Sequence, residues 1–482
     1  MITHNPTRFR WVFCQLETLR QCLPQSLRQT LDELPESLDE TYERVIVEIK
    51  RANQPHAYRM LQCITVANRP LYVAELAELL AFDFNEVKGG IPKLNSDWRW
   101  DDYEQAVLST CSSLVTVVPN DGSPVVQFSH FSVKEFLMSG RMASARGEIS
   151  QYHISLLNAH TLFARTSLAV LLRDPDVDGH ADSGALAGYA AEHWTAHARF
   201  ENVASQVRDG MKDLFDLDKP YFEAWVKLHD MDHRNGRYMP DSEPRARPLY
   251  YAARCGFLEM VEHLTLKYPQ YASARCGGLG TPLHSASFEG YPQVVRYLLQ
   301  HGVDVNIRNS ANETPLLLAS WKGHPDIVQC LLEHGADMNF LDNDHNAPLT
   351  WATYYGHVNV VRLLLEHKAE ANPQDEFGYT PLHDVMRGDR FHAERAQIVQ
   401  LLLKYGANPN ACDHNLQTPL HLVSRRADLL DVLRLLLEHG VDLDAKDKFG
   451  RTPLQLSLVR GHDEIMRLLS EYSNKPISGS LA

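Results

Sequence analysis

The second half of the chain repeats one pattern of apolar and polar positions about every 33 residues. Each copy opens with Thr-Pro-Leu or a degenerate form of it, and a later apolar stretch in each copy ends in a turn, usually at a glycine. The copies begin near residues 247, 281, 314, 347, 380, 418 and 452. This periodicity predicts seven structural repeats of two short helices each, over residues 247–473.

The residue types within each copy fit the two helices. Thr can cap the first helix and Pro suits its first turn, while a glycine such as Gly323 ends that helix where φ is positive. Leucine pairs such as Leu331-Leu332 would pack against the next repeat, because one repeat cannot bury its apolar face alone. Lys368 stands where other copies have glycine, and the fifth copy has five extra residues near 387–396.

With its recurring Thr-Pro-Leu-His tetrapeptides, the segment 244–473 resembles the ankyrin repeat family. The resemblance implies an α-solenoid in which the two residues before each first-helix glycine face a concave groove. We therefore expect a protein-binding groove at those positions. Its candidate residues are Arg254, Phe288, Glu289, Trp321, Lys322, Tyr354, Tyr355, Arg387, Arg425, Arg426 and Arg460.

This stripe is aromatic in its middle and rich in arginine toward its C-terminal end. Trp, Tyr and Arg dominate protein interfaces, and the Arg fork matches a carboxylate. The stripe predicts a protein or peptide ligand, an extended acidic and aromatic segment lying across repeats two to seven. The alternative is that these surface positions vary freely and bind nothing. A second candidate surface is formed by the turn tips Arg308, Phe340, Phe377, His414 and Phe449.

The 24 histidines raise the question of a metal site. Ten of them fall at positions that, in ankyrin repeats, make turn and inter-repeat hydrogen bonds. No His-Glu-x-x-His pattern is present, so the sequence predicts neither a metal nor a cofactor. The ten are His284, His301, His324, His334, His357, His367, His383, His421, His439 and His462.

The first half of the chain shows helical periodicity and two short β-like runs instead of repeats. The apolar spacing predicts helices over 9–20, 37–51, 57–67 and 73–81, and the β-like runs are 114–118 and 125–128. A further helix begins at Phe131. Helices followed by a two-stranded wing predict a winged-helix domain over 55–140.

This half resembles the segment that follows the NTPase module in fungal NACHT–ankyrin proteins of the STAND, NLR-like class. The strings that carry the resemblance are Phe9–Leu16, Leu34–Asp39, Ala74–Leu80, Leu108–Leu114, Gln127–Leu137 and Tyr189–Trp194. It implies the end of a NACHT module over 1–54, the winged helix over 55–140 and a helical domain over 141–230. A linker over 231–246 and a tail over 474–482 complete the expected, mostly α, organisation.

The sequence contains no G-x-x-x-x-G-K-[ST] loop to hold nucleotide phosphates and no G-x-S-x-G nucleophile elbow. We therefore expect a non-enzymatic interaction scaffold, the recognition arm of an NLR-like signalling protein. The alternative is a nucleotide-dependent switch whose NTPase module lies outside this chain, with oligomerisation only if that module exists. In that class a His at the end of the winged helix can contact the nucleotide, which makes His130 a candidate sensor.

Charge, apolar runs and cysteine spacing exclude further classes of protein. The formal net charge is −14, and residues 53–140 hold 6 basic and 10 acidic side chains, so the winged helix has no basic surface for DNA. No apolar run approaches the length of a membrane span, and the eight cysteines include no C-x-x-C pair. These features predict a cytoplasmic protein with reduced thiols that binds neither nucleic acid nor membrane.

Overall fold

The computed structural model of this chain describes residues 37–88, 90–120, 122–144, 147–173, 184–229, 231, 247–388 and 394–473. The chain divides into two units, Met1–Arg234 and Asn235–Ala482. The helix predicted over 9–20, most of the expected NACHT-like segment 1–54, nearly all of the linker 231–246 and the tail 474–482 lie outside the described residues.

The first unit begins, in its described part, with helices that flank a small sheet. The helices and strands up to residue 144 are α1 Leu38–Glu48, α2 Gln54–Val66, β1 Leu71–Tyr72, α3 Val73–Glu78, β2 Phe82–Lys88, β3 Ile91–Leu94, α4 Tyr103–Cys111, β4 Val115–Val118, β5 Val125–Phe128, α5 Phe131–Leu137 and α6 Gly140–Ser144.

The sheet of the winged helix is antiparallel with the order β1-β5-β4. Val117 of β4 pairs with Val126 of β5, and Leu71 of β1 pairs with Val126 from the other side. Leu71 and Val126 are buried because alternate side chains of a strand point to the same face, here the face toward the core. The predicted two-stranded wing is confirmed. The separate hairpin β2–β3 and the strand β1 were not predicted.

The rest of this unit is helical and packs around large aromatic side chains. Its helices are α7 Leu156–Leu171, α8 Ala187–Ala198, α9 Val203–Gln206, α10 Arg208–Leu214 and α11 Tyr221–Leu228. Trp194 and Trp225 meet edge to face with ring centroids 5.3 Å apart, and Trp225 Nε1 donates to Ala191 O at 2.9 Å. Burial of these rings, with the Trp225 indole donor satisfied, stabilises the helical bundle.

The second unit is a stack of helix pairs, as the periodicity predicts. Its helices are α12 Pro248–Cys255, α13 Leu258–Lys267, α14 Pro282–Glu289, α15 Pro292–Gln300, α16 Pro315–Lys322, α17 Pro325–Glu333, α18 Pro348–Tyr354, α19 Val358–Glu366, α20 Pro381–Arg387, α21 Arg395–Lys404, α22 Pro419–Val423, α23 Leu430–Leu437, α24 Pro453–Arg460 and α25 Asp463–Ser473. The molecule is therefore mostly α.

The first helix of the third repeat, α16, begins and ends with the residues that the sequence predicts. Pro occupies the first turn of α16, and the Thr314 hydroxyl accepts from Leu317 N at 3.3 Å. The helix ends at Gly323, whose φ of 75° lies in the left-handed region that favours glycine. A Cβ at this glycine would lie 2.4 Å from His357 Nδ1, so the close stacking of the two repeats also requires glycine here.

The last repeat exposes apolar side chains at positions that are buried in the interior repeats. Leu458 on α24 is 66% exposed, whereas the equivalent Ser424 and Met386 are buried. The difference arises because the interior positions pack against the following repeat, and the described residues supply none after α25.

Lys368 carries a measurable backbone cost. Its φ is 69°, while the equivalent glycines Gly302, Gly335, Gly406 and Gly440 have the same left-handed turn without a Cβ. We expect Lys368→Gly to raise the free energy of unfolding by about 1 kcal/mol, because an L-residue is strained there. Urea unfolding followed by circular dichroism measures the change. Lys368→Ala is the control and is expected to leave stability within about 0.5 kcal/mol; a loss of stability in the glycine variant would contradict the strain argument.

Candidate functional site

The concave stripe is held in place by the scaffold histidines. His324 Nε2 donates to Phe288 O at 3.0 Å, and His357 Nε2 donates to Trp321 O at 2.9 Å, each from the following repeat. His462 Nε2 donates to Arg425 O at 3.0 Å in the same way. Thus the backbone beneath three stripe positions is fixed by a neighbouring repeat.

The other scaffold histidines also make the predicted bonds. His284, His383 and His421 each bridge their own helix-capping Thr and a carbonyl of the next repeat. The remaining four bond through Nδ1 to a carbonyl four residues earlier, and they are His301, His334, His367 and His439. The structural role of all ten histidines is confirmed.

The N-terminal end of the stripe is internally paired. Arg254 is only 3% exposed, and its Nε donates to Glu289 Oε1 at 3.3 Å while Nη1 donates to the Tyr250 hydroxyl at 3.4 Å. Phe288 is 7% exposed and lies edge to face against Trp321. Arg254 and Phe288 therefore lie in the floor of the stripe, whereas the Glu289 side chain is 31% exposed. The contact of these three residues with a ligand stays a prediction.

The middle of the stripe is one continuous group of aromatic rings, here called the aromatic cluster: Phe288, Trp321, Trp351, Tyr354 and Tyr355. The ring centroids of Trp321 and Trp351 are 5.6 Å apart, and those of Trp351 and Tyr355 are 5.9 Å apart and stacked. Tyr354 is 37% exposed at the cluster's edge. The cluster joins three successive repeats and presents a broad, partly solvated aromatic surface.

Trp351 is a member of this cluster that the sequence analysis missed. It lies on α18 four residues before Tyr355, so the two rings share one helix face. Its Nε1 donates to Asp342 Oδ2 at 2.9 Å, which fixes the ring. The i, i+4 spacing to a stripe position was the available signal. Lys322 extends the cluster at its other side, with Nζ 4.6 Å from the Phe288 ring centroid.

Two of the C-terminal stripe arginines are already satisfied within the fold. Arg387 Nη1 donates to Asp384 Oδ1 at 3.2 Å, and the guanidinium lies 4.0 Å from the Tyr379 ring centroid. Arg426 pairs with Asp428 at 3.0 Å and donates to Met386 O at 3.1 Å. These arginines hold neighbouring segments together, so they offer less to a ligand than the sequence suggested.

Arg425 and Arg460 differ from them. Within the described part of the chain, neither guanidinium has a hydrogen-bond acceptor or an ion-pair partner, although Arg425 is half-buried. The sequence analysis missed Arg451, which precedes the last Thr-Pro-Leu and donates through Nη2 to Asp447 Oδ2 at 2.7 Å. Burial, together with the positive charges of Arg451 and Arg460, lowers the pKa of Arg425, while Asp447 and Asp413 oppose that shift.

The turn tips form a more scattered surface. Phe377, His414 and Phe449 are exposed, and the Arg308 guanidinium lies 4.2 Å from the Phe340 ring centroid. The exposed rings are separated along the stack, one per repeat, so they lack the continuous ring contacts of the aromatic cluster. The turn tips stay a second candidate surface.

His130 caps α5 in the first unit. Its Nδ1 lies 2.6 Å from the Ser132 hydroxyl and accepts from Ser132 N at 3.3 Å, and that hydroxyl lies 2.8 Å from the Tyr42 hydroxyl. This is the work of a helix N-cap at the strand–helix junction. The contact of His130 with a nucleotide stays a prediction.

The described residues contain no group of three His, Cys, Asp or Glu side chains placed to hold a metal ion. No helix among them is long and apolar enough to cross a membrane. Cys63, Cys111, Cys255, Cys276 and Cys330 are buried cysteines that form no disulfide with another described residue, and Cys412 is an exposed one.

The helix pairs and the histidine-held stripe define a repeat protein of one family. Residues 228–309, 249–342, 316–410 and 390–478 match the family described as "Ankyrin repeats (3 copies)" and together cover just over half of the chain. The chain belongs to the ankyrin repeat family. Residues 42–147 also match the family described as "GPI inositol-deacylase, winged helix domain", in line with the predicted winged helix.

The chain is also similar to particular known proteins. It is 29% identical over 298 residues to the Azaphilone pigments biosynthesis cluster protein L of Monascus ruber, which covers 57% of this chain. The chain spans 61% of the length of that curated relative. Similar solved structures are the ankyrin repeat domains of Bcl-3 (29% identity, 47% of this chain, 100% of that chain, TM-score 0.42) and human ASB11 (26%, 48%, 99%, 0.41).

Proposed function

We propose that this chain is a recognition scaffold whose ankyrin unit binds an extended peptide segment of another protein along the concave stripe. The ligand's aromatic or apolar side chains lie on the aromatic cluster, and its acidic side chains lie toward the arginines of the last two repeats. Ankyrin repeats commonly serve protein–protein interaction, and that fold is typically non-enzymatic. That general role does not say which residues bind the ligand or what the ligand's chemistry is, and both are part of our proposal.

The continuous aromatic cluster is the observation that carries the proposal. Trp321 and Trp351 lie on different helices, α16 and α18, yet their rings meet at 5.6 Å. Interfaces concentrate binding energy in aromatic and Arg side chains at the centre of a contact. A surface that spans three repeats is long enough for a short extended segment rather than a single side chain.

We further propose a setting for this scaffold: a cytoplasmic, fungal, NLR-like signalling protein of the STAND class in which the winged helix regulates an NTPase module. The likeness to the Monascus ruber protein and the winged helix over 42–147 support that setting. In it the chain itself catalyses no reaction and binds neither nucleic acid nor membrane, and oligomerisation depends on the NTPase module.

The test is selection of peptides from a displayed random library on the full chain, followed by titration of the enriched peptides. We expect Tyr354→Ala to weaken binding of the enriched peptides at least ten-fold, and Trp321→Ala with Tyr354→Ala to abolish it, because each change removes ring area from the aromatic cluster. Fluorescence anisotropy of the labelled peptides measures the affinity.

Matched controls come from the other unit. Trp98 and Tyr103 are exposed aromatic residues outside the groove, so Trp98→Ala with Tyr103→Ala removes similar ring area and should leave the affinity unchanged. Trp321 also packs against Phe288, so its variant is compared by melting temperature, whereas the exposed Tyr354 variant should melt as the native chain does. Unchanged affinity in the Tyr354 variant, or no enrichment at all, would contradict the groove assignment.

A further inference from the structure

The last two repeats bring three arginines together at the C-terminal end of the groove. Arg425 follows α22, Arg460 ends α24, and Arg451 lies in the turn that leads into α24. Helices α22 and α24 stack on each other, and the charges of Arg451 and Arg460 both act on Arg425. We call these three residues the arginine cluster.

The scaffold fixes the backbone of this cluster. His462 Nε2 donates to Arg425 O at 3.0 Å, and His421 Nε2 donates to Arg451 O at 3.1 Å. Arg451 is also oriented through its side chain, since its Nε and Nη2 both donate to Asp447 Oδ2, at 2.9 and 2.7 Å. The backbone of Arg425 and the whole of Arg451 are therefore fixed before any ligand arrives, which lowers the ordering cost of binding.

Placing the positive charges of the arginine cluster near one another costs free energy when no anion is bound. A half-buried guanidinium carries five N–H donors, yet Arg425 has no acceptor among the described residues. The pKa of Arg425 is lowered by burial and by its two arginine neighbours, which is the direction expected of a cation that lacks a counter-ion. By contrast, the stripe arginines Arg387 and Arg426 each donate to the carboxyl group of an aspartate within 3.2 Å.

We propose that the arginine cluster is an anion subsite that binds one carboxylate side chain, Asp or Glu, of the peptide ligand. This inference rests on the proposed function, because it names the chemistry at one end of the same groove. The fork of Arg425 holds the carboxylate, and Arg460 closes over it from the next repeat.

Local charge favours a carboxylate over a phosphate. The cluster has three positive charges, and Asp447 and Asp413 nearby supply two negative charges. One positive charge is left, which a single carboxylate neutralises. A dianionic phosphate would leave an excess negative charge next to the buried Asp413, and uncompensated charge in a buried setting is unfavourable.

The test uses acetate as the probe on the full chain with isotope-labelled arginine. The Nε–Hε signals of Arg425 and Arg460 are followed by NMR while acetate replaces chloride at constant ionic strength. We expect both signals to move along a saturating curve, and the dissociation constant for acetate to rise at least five-fold in Arg425→Lys, because Lys keeps the charge but lacks the fork. Hydrogen phosphate is titrated in parallel as the second arm.

Arg467 supplies the matched control. It is an exposed arginine of the last repeat, and it already pairs with Glu464 at 2.7 Å. Its signal should drift linearly, and Arg467→Gln should leave the acetate curve of Arg425 unchanged. Linear drift of Arg425 like that of Arg467 would overturn the subsite, and saturation by phosphate alone would overturn the choice of a carboxylate. Free acetate does not need the aromatic cluster, so failure here is distinct from failure of peptide binding to depend on Tyr354.

Discussion

Below pH 6.5 the ankyrin unit should lose stability steeply, and His284→Gln should remove a large part of that loss. His284 is fully buried, and burial lowers its pKa to about 4. In the neutral ring Nδ1 accepts from Thr281 N at 3.3 Å, and Nε2 donates to Glu313 O at 2.9 Å. Protonation would put a hydrogen on Nδ1 opposite the Thr281 N–H, so the native site resists it.

The lowered pKa of His284 determines the pH range in which stability is lost. An unfolded His has a pKa near 6.5, whereas burial lowers the pKa of the folded His284 to about 4. Between pH 6.5 and about 4 the unfolded chain therefore binds a proton at this residue that the folded chain does not bind. The stabilisation is complete above pH 6.5 and lost at about pH 4, and it amounts to roughly 3 kcal/mol for this one residue. His383 and His421 occupy equivalent sites, and burial lowers their pKa values too, so their losses fall in the same direction.

The last repeat indicates which substitution of His284 can keep the helix-capping bond. The last repeat has Gln455 where others have His, and Gln455 Oε1 accepts from Thr452 N at 3.0 Å, so Gln can keep the capping bond. We expect His284→Gln to cost about 1 kcal/mol at pH 7, for the lost bond to Glu313, and to be the more stable protein at pH 4.5. Urea unfolding at both pH values measures the crossing. Parallel pH curves for the two proteins would contradict the argument; His301→Gln, at an exposed turn, is the control.

The sequence predicted the ankyrin half well because each repeat repeats its local signals. Thr-Pro at a helix start, Gly323 at a helix end and His at the capping site each have one local geometry, and seven copies reinforce one another. The wing strands β4 and β5 were found for a similar reason, since a turn separates two alternating runs. In contrast, β1 has two residues, and its pairing with β5 depends on chain folding over more than fifty residues.

The site was predicted less completely, because position in a repeat does not determine exposure. Arg254 and Arg425 occupy equivalent stripe positions, yet Arg254 is buried against Glu289 while Arg425 has no acceptor among the described residues. Which arginine is paired depends on what residue the next repeat supplies. Trp351 and Arg451 were missed because they lie off the stripe in sequence and join it only through stacking.

Replacing Asp384 should stabilise the ankyrin unit, and the gain should grow with pH. Asp384 lies on α20, is 2% exposed, and its Oδ2 has no hydrogen-bond partner among the described residues. Burial raises its pKa to about 8, although Arg387 opposes that shift. Equivalent positions in other repeats hold Leu318, Leu422 and Leu456, so a leucine fits the stack.

The raised pKa of Asp384 determines the pH range over which this residue changes the stability of the folded chain. An unfolded Asp ionises near pH 4, whereas the folded Asp384 keeps its proton to about pH 8, so its stability contribution falls as the pH rises between these values. Burying an ionisable group that lacks some of its hydrogen bonds costs free energy, so replacing it with a well-packed apolar residue often adds stability. We therefore expect Asp384→Leu to raise the free energy of unfolding by about 2 kcal/mol at pH 8, with a smaller gain at pH 5.

A second variant separates charge from packing at this position. Asp384→Asn keeps an oxygen that can accept from Arg387 Nη1, now 3.2 Å from Asp384 Oδ1, and removes the charge, but its amide N–H groups gain no partner. It should therefore gain less than Asp384→Leu at pH 8 and show the same weakened pH dependence. Urea unfolding of the full chain at pH 5 and pH 8 measures both. If both variants lose stability at pH 8, the bond to Arg387 outweighs the cost of burying the carboxylate, and Asp384 is ionised in the folded chain.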